Sequence, residues 1–247
     1  MKRMKWQLIF GLSLITLSVV LYLIQLKIFH STRDTFFYLF QDIAFVPVQI
    51  LVVTLIVDRL LNAREKRILL EKMNMAIGVF FSEAGTMLLK SFAGLDAHLH
   101  NIDKDLALSA DLSKKQFSIL GKRARGHDAM IDCRKGDLDG VKSFLLEKRV
   151  FLTNLLQNPN LLEHDSFTDL LRSVFHLTEE LAFRAGFKDL PEADYRHLNG
   201  DIKRAYVQLM YEWVGYMRYL KNNYPYLYSL SVRTNPFTPD ASVIVTE

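Results

Sequence analysis

The stretch that decides the fold is residues 6–58, which read WQLIFGLSLITLSVVLYLIQLKIFHSTRDTFFYLFQDIAFVPVQILVVTLIVD. Its first part, residues 6–26, has no charged side chain and consists mainly of Leu, Ile, Val and Phe. Residues 35–57 form a second apolar run. Because about 20 apolar residues in a helix cross a hydrocarbon core roughly 30 Å thick, the stretch predicts two transmembrane helices, at residues 6–28 and 35–57.

Basic residues flank these two predicted helices and indicate their orientation. The flanking basic residues are Lys2, Arg3 and Lys5 before the first helix, and Arg59, Arg64, Lys66, Arg67 and Lys72 after the second. Only Lys27 and Arg33 are basic in residues 27–34, which separate the two apolar runs. Cytoplasmic flanks carry the excess of Lys and Arg, so we expect a multi-pass protein of the plasma (inner) membrane with both termini in the cytoplasm. The candidates for contact with anionic lipid are Lys2, Arg3, Lys5, Arg59, Arg64 and Arg67.

The first apolar run has the basic start of a cleaved signal peptide. Its apolar part is longer than the usual 7–15 residues, however, and no small-x-small cleavage site follows it. We therefore expect this run to remain as a membrane anchor.

Three residues of the second predicted membrane helix are candidates for an ion pathway or for helix packing. An ionised carboxylate at the bilayer centre costs roughly 2.5 kcal/mol or more, so Asp42 either lines a pore or lies in water at the headgroup boundary. Its place near the outer end of the helix favours the boundary. Gln49 and Pro47 lie deeper, where packing between helices is the simpler interpretation.

Composition narrows the function of the remaining chain. The protein has 247 residues, a net charge of +4 and one cysteine, Cys133. An internal disulfide and a cysteine-built zinc site are therefore excluded, which agrees with a reducing compartment. Much of the basic excess lies beside the membrane, so we predict no nucleic-acid binding.

The chain after residue 58 shows helical periodicity, with apolar residues mostly three and four apart. The sequence predicts a helical stalk over 59–94, a helical bundle over 95–237 and a loose tail over 238–247. Expected helix boundaries within the bundle are an N-cap at Asp111 or Ser113 with an end near Gly121 or Gly126, one helix over 137–157, a helix capped by Asp165 or Ser166 and closed by Gly186, and a helix from Pro191 to about Tyr224. The predicted fold class is thus an all-α membrane protein, a two-helix transmembrane hairpin that continues into a cytoplasmic helical bundle.

The sequence lacks the common catalytic signatures. It has no phosphate-binding loop, no HExxH and no Gly-x-Ser-x-Gly elbow, so hydrolysis of nucleotides at a phosphate-binding loop is excluded. We expect no cofactor, and the chain gives no strong indication of an enzyme.

The dipeptide His127-Asp128 resembles the His-Asp pair of the HD phosphohydrolases, which are also all-helical. The resemblance implies a metal-dependent hydrolase in which His127 and Asp128 are ligands. The further ligands would be an upstream histidine, His98 or His100, and a distant aspartate, Asp189 or Asp194. The residues after Asp128, Ala-Met-Ile, depart from the family's usual continuation.

Two pairs of residues stand four apart on predicted helices, a spacing that makes them candidate metal ligands. His176 and Glu180 point away from the apolar stripe of their helix, so we expect them in solvent. His197 and Asp201 lie at the flank of the next helix's apolar stripe, on a side that also holds Glu212 and Tyr219. A polar seam or interface is therefore predicted at His197, Asp201, Glu212 and Tyr219, and no metal site is predicted.

Three functional hypotheses follow. The first is a membrane-anchored, non-catalytic binding, scaffold or sensor module that self-associates and binds an unidentified cytoplasmic protein or small ligand. The second is an oligomeric channel built from several hairpins, with Asp42 and Gln49 lining the pore. The third is the HD-like hydrolase.

Overall fold

A computed structural model of the chain describes residues 2–29, 32–109, 112–161, 164–238 and 241–244, with the side chains of residues 2–11, 29 and 32 not described. These residues are mostly helical and include no β-strand; an isolated bridge pairs Asp96 with Ile131. The predicted all-helical fold is therefore confirmed for the described residues. The chain divides into two compact units, Met1–Lys66 and Arg67–Glu247.

The first unit contains helix α1, Lys2–Phe29, and the first part of helix α2, Thr32–Phe80. Large apolar side chains along both helices are exposed, from Leu12 to Leu61. One helical stretch, Arg33–Ala93, is long and apolar enough to cross a membrane: its most apolar window has a mean hydropathy of 2.0 and none of it is buried. The described apolar part of α1, Leu12–Ile28, is shorter than such a span. The two-helix hairpin and its orientation thus stay predictions.

The second unit is a bundle arranged around one long helix. After α2 come a π-helical turn, Phe81–Gly85, and the helices α3 (Thr86–Ala93), α4 (Asp103–Leu106), α5 (Lys114–Arg125), α6 (Leu138–Glu147), α7 (Arg149–Leu156), α8 (Asp165–Ala182), α9 (Glu192–Asn223) and α10 (Pro225–Arg233). Two 3-10 turns lie at Leu99–Asn101 and Cys133–Lys135. Helix α9 packs against α3, α5, α8 and α10. Its apolar face supplies the centre of the core, including Tyr206, Leu209 and Trp213.

Two helix starts show how local hydrogen bonds set the boundaries. Ser113, one of the two predicted caps, begins α5 with a capping box to Gln116, and Gly126 is the C-cap of this helix. The other predicted cap, Asp111, lies outside the described residues. Helix α8 is instead capped by His164, whose Nδ1 accepts from the Phe167 N–H at 3.1 Å. The predicted caps Asp165 and Ser166 were wrong by one or two residues because histidine is not a usual N-cap.

The helix predicted over 137–157 is two helices. Lys148 interrupts it between α6 and α7. Both α6 and α7 contact α8, and a break between them lets each turn its own apolar side to that helix. The prediction also placed the end of α8 at Gly186, whereas Phe183 is its C-cap.

The aromatic segment after α9 folds back on the bundle. Tyr228 is buried, and its hydroxyl donates to the Ser109 carbonyl at 2.7 Å. Phe237 is also buried, with its ring 5.2 Å from that of Trp213. Beyond it, residues 241–244 form no helix or strand.

Candidate metal centre

Helices α8 and α9 bring together four side chains that can bind a metal ion. The two helices pack on each other and are joined by the short segment 183–191. Residues four apart lie on one side of a helix, so α8 presents His176 with Glu180, and α9 presents His197 with Asp201. Within the described part of the chain, these form the one group of His, Cys, Asp and Glu side chains whose ligand atoms converge, all within 4.8 Å.

The distances between the ligand atoms are those of a compact site. Asp201 Oδ2 is 3.5 Å from His176 Nε2 and 3.3 Å from His197 Nε2. The Glu180 carboxylate is 3.9 Å from His176 Nε2 and 3.5 Å from His197 Nε2. Four ligands at about 2.0–2.2 Å from Zn²⁺ in a tetrahedron lie about 3.3–3.6 Å from one another. The arrangement therefore fits an ion of zinc's size with small movements of the side chains.

Asp201 is the best evidence that something binds here. Its side chain is 3% exposed, and its Oδ2 atom is buried without a hydrogen-bond partner. A buried carboxylate oxygen without a partner is costly. This oxygen lies beside two imidazole nitrogens without a hydrogen bond to either, an arrangement in which a shared metal ion would satisfy all three atoms.

Two arginines hold the carboxylates from outside the cluster. Arg184 Nη1 donates to Glu180 Oε2 at 2.8 Å, and Arg184 Nη2 to Asp194 Oδ1 at 2.7 Å. The hydrogen bond from Arg184 lowers the pKa of Glu180 and keeps its carboxylate ionised. Arg204 Nη1 lies 3.3 Å from Asp201 Oδ1, the oxygen that faces away from the histidines. Such outer partners orient metal ligands and are typical of metal sites.

The four ligands define the class of metal. Two imidazole nitrogens and two carboxylates suit divalent first-row transition ions, whereas Mg²⁺ and Ca²⁺ prefer oxygen ligands alone. Cys133 is buried and donates weakly to the Tyr195 carbonyl at 3.9 Å, so sulfur plays no part in the cluster.

The sequence-based interpretation treated the two pairs separately and missed their convergence. His176 is half exposed, as predicted, but Glu180 is only 27% exposed on its side chain and faces α9 instead of solvent. A helical wheel shows the apolar stripe of one helix but not which neighbour lies at its edge. The sequence pattern that indicates this site is His-x-x-x-Glu or His-x-x-x-Asp, which occurs in two successive helices joined by a short loop.

The predicted polar seam does not extend along α9. Glu212 is buried, far along the helix from His197, and borders a cavity of about 370 Å³ with His164 and Arg218. Burial raises the pKa of Glu212. Tyr219 lies against Tyr224, with ring centres 5.8 Å apart. His197 and Asp201 therefore belong to the candidate metal cluster, while Glu212 and Tyr219 have other surroundings.

The residues of the HD resemblance are not assembled as a metal site. His127 Nε2 lies 2.6 Å from Asp96 Oδ2, both side chains being buried. The Asp128 carboxylate is exposed and pairs with Lys203 at 2.5 Å, while His98 Nδ1 bonds to the Asp128 carbonyl at 2.9 Å. Of the other candidates, His100 bonds the Ala97 carbonyl, Asp189 has a positive φ of 58° in a loop, and Asp194 pairs with Arg184.

The candidate residues of the first unit lie on exposed helix. Asp42 Oδ2 accepts a hydrogen bond from the Tyr22 hydroxyl at 3.1 Å. Pro47 and Gln49 lie within α2 and are exposed. Arg59 and Arg64 are exposed, and Arg67 pairs with Glu71 at 3.1 Å; the side chains of Lys2, Arg3 and Lys5 lie outside the described part. Their roles in a pore or at lipid stay predictions.

Comparison with known proteins covers most of the chain. Residues 69–233 match the family described as "Uncharacterized protein MJ1433, C-terminal helical domain", and residues 2–61 match "MJ1433, N-terminal helical domain". The chain belongs to the MJ1433 family. A relative from Methanocaldococcus jannaschii with the name "Uncharacterized protein MJ1433" is 41% identical over 243 residues, which are 98% of this chain and 97% of the relative. No solved structure matches the chain. The MJ1433 descriptions name helical domains and no activity.

Proposed function

We propose that this protein is a membrane-anchored helical protein whose C-terminal domain binds one divalent transition-metal ion and acts as a non-catalytic sensor or binding module. The observation that carries the proposal is the convergence of His176, Glu180, His197 and the unbonded Oδ2 of Asp201. Zinc is the leading candidate because it accepts imidazole and carboxylate ligands in a four-coordinate site.

The metal would act by joining two helices. His176 and Glu180 belong to α8, and His197 and Asp201 belong to α9, so an ion bound to all four crosslinks the helices next to the segment 183–191. A ligand that binds only the folded state stabilises it, by about 2.7 kcal/mol at a hundred times its Kd. Binding of the metal would thereby make this end of the bundle more rigid as the metal concentration rises. A partner protein would recognise the rigid form.

The four protein ligands favour a sensor or structural role over catalysis. Catalytic zinc sites keep a coordination position open for water or substrate, whereas closed four-ligand sites stabilise a fold. A site that fills all four positions from two helices belongs to the second class.

The membrane part of the proposal rests on the first unit. Apolar side chains along α1 and α2 are exposed, and α2 is apolar over a length that matches a bilayer. A surface of this kind needs lipid or protein to cover it. The basic flanks predict cytoplasmic termini. Self-association of the anchored chains is part of the proposal.

The channel alternative depends on Asp42. Its carboxylate accepts a hydrogen bond from Tyr22, which gives Asp42 a partner within the same unit and makes an ion-binding role unnecessary to explain it. The non-conducting anchor is therefore preferred.

The test is zinc binding by the full chain in detergent after removal of metal with a chelator. Calorimetric titration should give one zinc ion per chain. The variant His197→Ala should lose this binding, while His100→Ala, which removes an exposed histidine outside the cluster, should keep it. Equal zinc binding by the His197 variant and the unchanged protein would overturn the proposal.

A further inference from the structure

A polar cavity, distinct from the one that Glu212 borders, lies along the same two helices as the candidate metal cluster, nearer the start of α8. It has a volume of about 510 Å³ and is open to solvent between the end of α5, the start of α8 and the middle of α9. Pockets for small molecules usually measure about 300–1,000 Å³. None of the four residues of the candidate metal cluster lines the cavity, but the cavity and the cluster are neighbours, because Arg204 lines the cavity and lies 3.3 Å from Asp201 Oδ1.

The lining of the cavity is basic. Arg125, Lys203 and Arg204 border it, against a single acidic residue, Asp169. Lys203 pairs with the exposed Asp128, and Arg204 reaches Asp201 at one edge. Arg125 has no ion-pair partner among the residues that the structure describes. The lining therefore has more cationic than anionic side chains, and among its cations the Arg125 guanidinium has no ion pair and keeps its donors for a ligand.

Arg125 also makes a cation–π contact. Its guanidinium carbon lies over the Tyr211 ring at 5.2 Å from the ring centre, a contact that favours this position of the side chain. A planar guanidinium presents its N–H donors along its edge. Such a fork matches the oxygens of a phosphate group.

The imidazole of His127 is the most firmly fixed group in the lining. Asp96, buried beside it, lies 2.6 Å from Nε2 and also accepts from the backbone N–H groups of His98 and Met130 at 2.9 and 2.8 Å. Nδ1 of His127 has no hydrogen-bond partner among the described residues. The Asp96 carboxylate thus fixes the ring orientation through one nitrogen and leaves the other for a ligand.

Gln208 adds an unused hydrogen-bonding group. Its side chain lines the cavity, and its Oε1 atom is buried with no partner. Buried polar groups are nearly always bonded, and a rotation of the Gln208 side chain would bring its amide to a ligand in the cavity.

We propose that this cavity binds a small phosphate-bearing anion. Arg125, Lys203 and Arg204 supply the positive charge for the phosphate, and His127 and Gln208 supply hydrogen-bonding groups for the rest of the ligand. The phosphate belongs either to a soluble metabolite or to the headgroup of an anionic lipid. This site does not depend on the proposed metal ion.

The probe for this site is inorganic pyrophosphate. It is titrated by calorimetry into the full chain in phosphatidylcholine nanodiscs, with metal removed because pyrophosphate chelates metal ions. We expect one binding site per chain. Loss of one charge-assisted hydrogen bond in Arg125→Gln should weaken binding roughly ten- to hundredfold. The control Lys135→Gln removes an exposed lysine that lies outside the cavity, and it should bind pyrophosphate like the unchanged protein.

A second arm distinguishes the two sources of phosphate. Nanodiscs that contain phosphatidylglycerol as well as phosphatidylcholine should leave pyrophosphate affinity unchanged if the natural ligand is soluble, and should weaken it in the unchanged protein if the headgroup competes for the site. His197→Ala should bind pyrophosphate normally, which separates this site from the metal cluster. Absence of pyrophosphate binding, or binding that Arg125→Gln leaves unchanged, would overturn the inference.

Discussion

Asp201 is a buried carboxylate with one oxygen bonded through Arg204 and one oxygen facing two histidines. The variant Asp201→Asn keeps the shape of this side chain and removes its charge. If the cluster is a metal site, the metal-free variant should melt at the same temperature as the metal-free protein or higher, because the buried carboxylate oxygen that lacks a hydrogen-bond partner is gone. Added zinc should raise the Tm of the unchanged protein by several degrees and leave the variant unaffected. Thermal melting of the full chain in detergent measures both. A marked loss of stability in the metal-free variant would show that Asp201 serves as an ion-pair partner of the histidines.

Glu212 links burial to the pH dependence of stability. Burial is the main cause that raises its pKa above the ordinary value of 4.5, and Ser166 and His164 oppose the shift in part. Above about pH 4.5 the unfolded chain releases this proton while the folded chain retains it, so the free energy of unfolding falls as the pH rises until the folded pKa is passed. Glu212→Gln should remove this contribution.

The measurement for Glu212 is the difference in Tm between the variant and the unchanged protein at several pH values. Glu212→Gln should gain stability relative to the unchanged protein as the pH rises from 4.5. The control Glu147→Gln removes an exposed carboxylate, 72% accessible on its side chain, and should show no such trend. A constant difference for the Glu212 variant would contradict the account.

Among the helices, α5 has the most complete N-terminal hydrogen bonding. The Ser113 hydroxyl accepts from the Gln116 N–H at 3.3 Å, and the Gln116 side chain accepts from the Ser113 N–H at 2.7 Å. Loss of such a cap costs about 1 kcal/mol. Ser113→Ala should therefore lower the Tm, while Ser118→Ala, an exposed serine within the same helix, should leave it unchanged or raise it slightly. Equal melting of both variants would show that the cap contributes nothing.

How far the sequence predicts an element depends on whether its signal is local. Ser113 and the apolar stripe of α9 are local patterns, and both predictions agree with the structure. The break at Lys148 is not local, because it follows from the way α6 and α7 each pack on α8. The predicted helix over 137–157 missed it for that reason.

The candidate site shows the same division. The spacing of four between His176 and Glu180, and between His197 and Asp201, is visible in the sequence. It places each pair on one side of a helix, as metal ligands require. Their convergence depends on which sides α8 and α9 turn to each other, and no pattern within a single helix contains that information. The pairing of His127 with Asp96, 31 residues earlier, cannot be predicted from the sequence for the same reason. The sequence-based hypothesis instead grouped His127 with the adjacent Asp128.

For the whole molecule, the exposed apolar helices of the first unit predict extraction only by detergent. The mass of the solubilised particle, corrected for bound detergent, then decides between the anchor and the channel, because two helices alone enclose no pathway. We expect a dimer, because self-association of the anchored chains is part of the proposal, and a monomer would contradict that part. A tetramer or larger ring would instead favour the channel, and ion flux with Asp42→Ala and Gln49→Leu would then be measured against the unchanged protein.

The central claim is that α8 and α9 together bind a transition-metal ion, and X-ray absorption at the zinc edge of the zinc-loaded full chain tests it most directly. The account predicts two imidazole nitrogens and two carboxylate oxygens at about 2.0–2.2 Å from the zinc, with the imidazole signal lost in a His176→Ala, His197→Ala double variant. A zinc environment of water oxygens alone, or a spectrum that the double variant leaves unchanged, would contradict it.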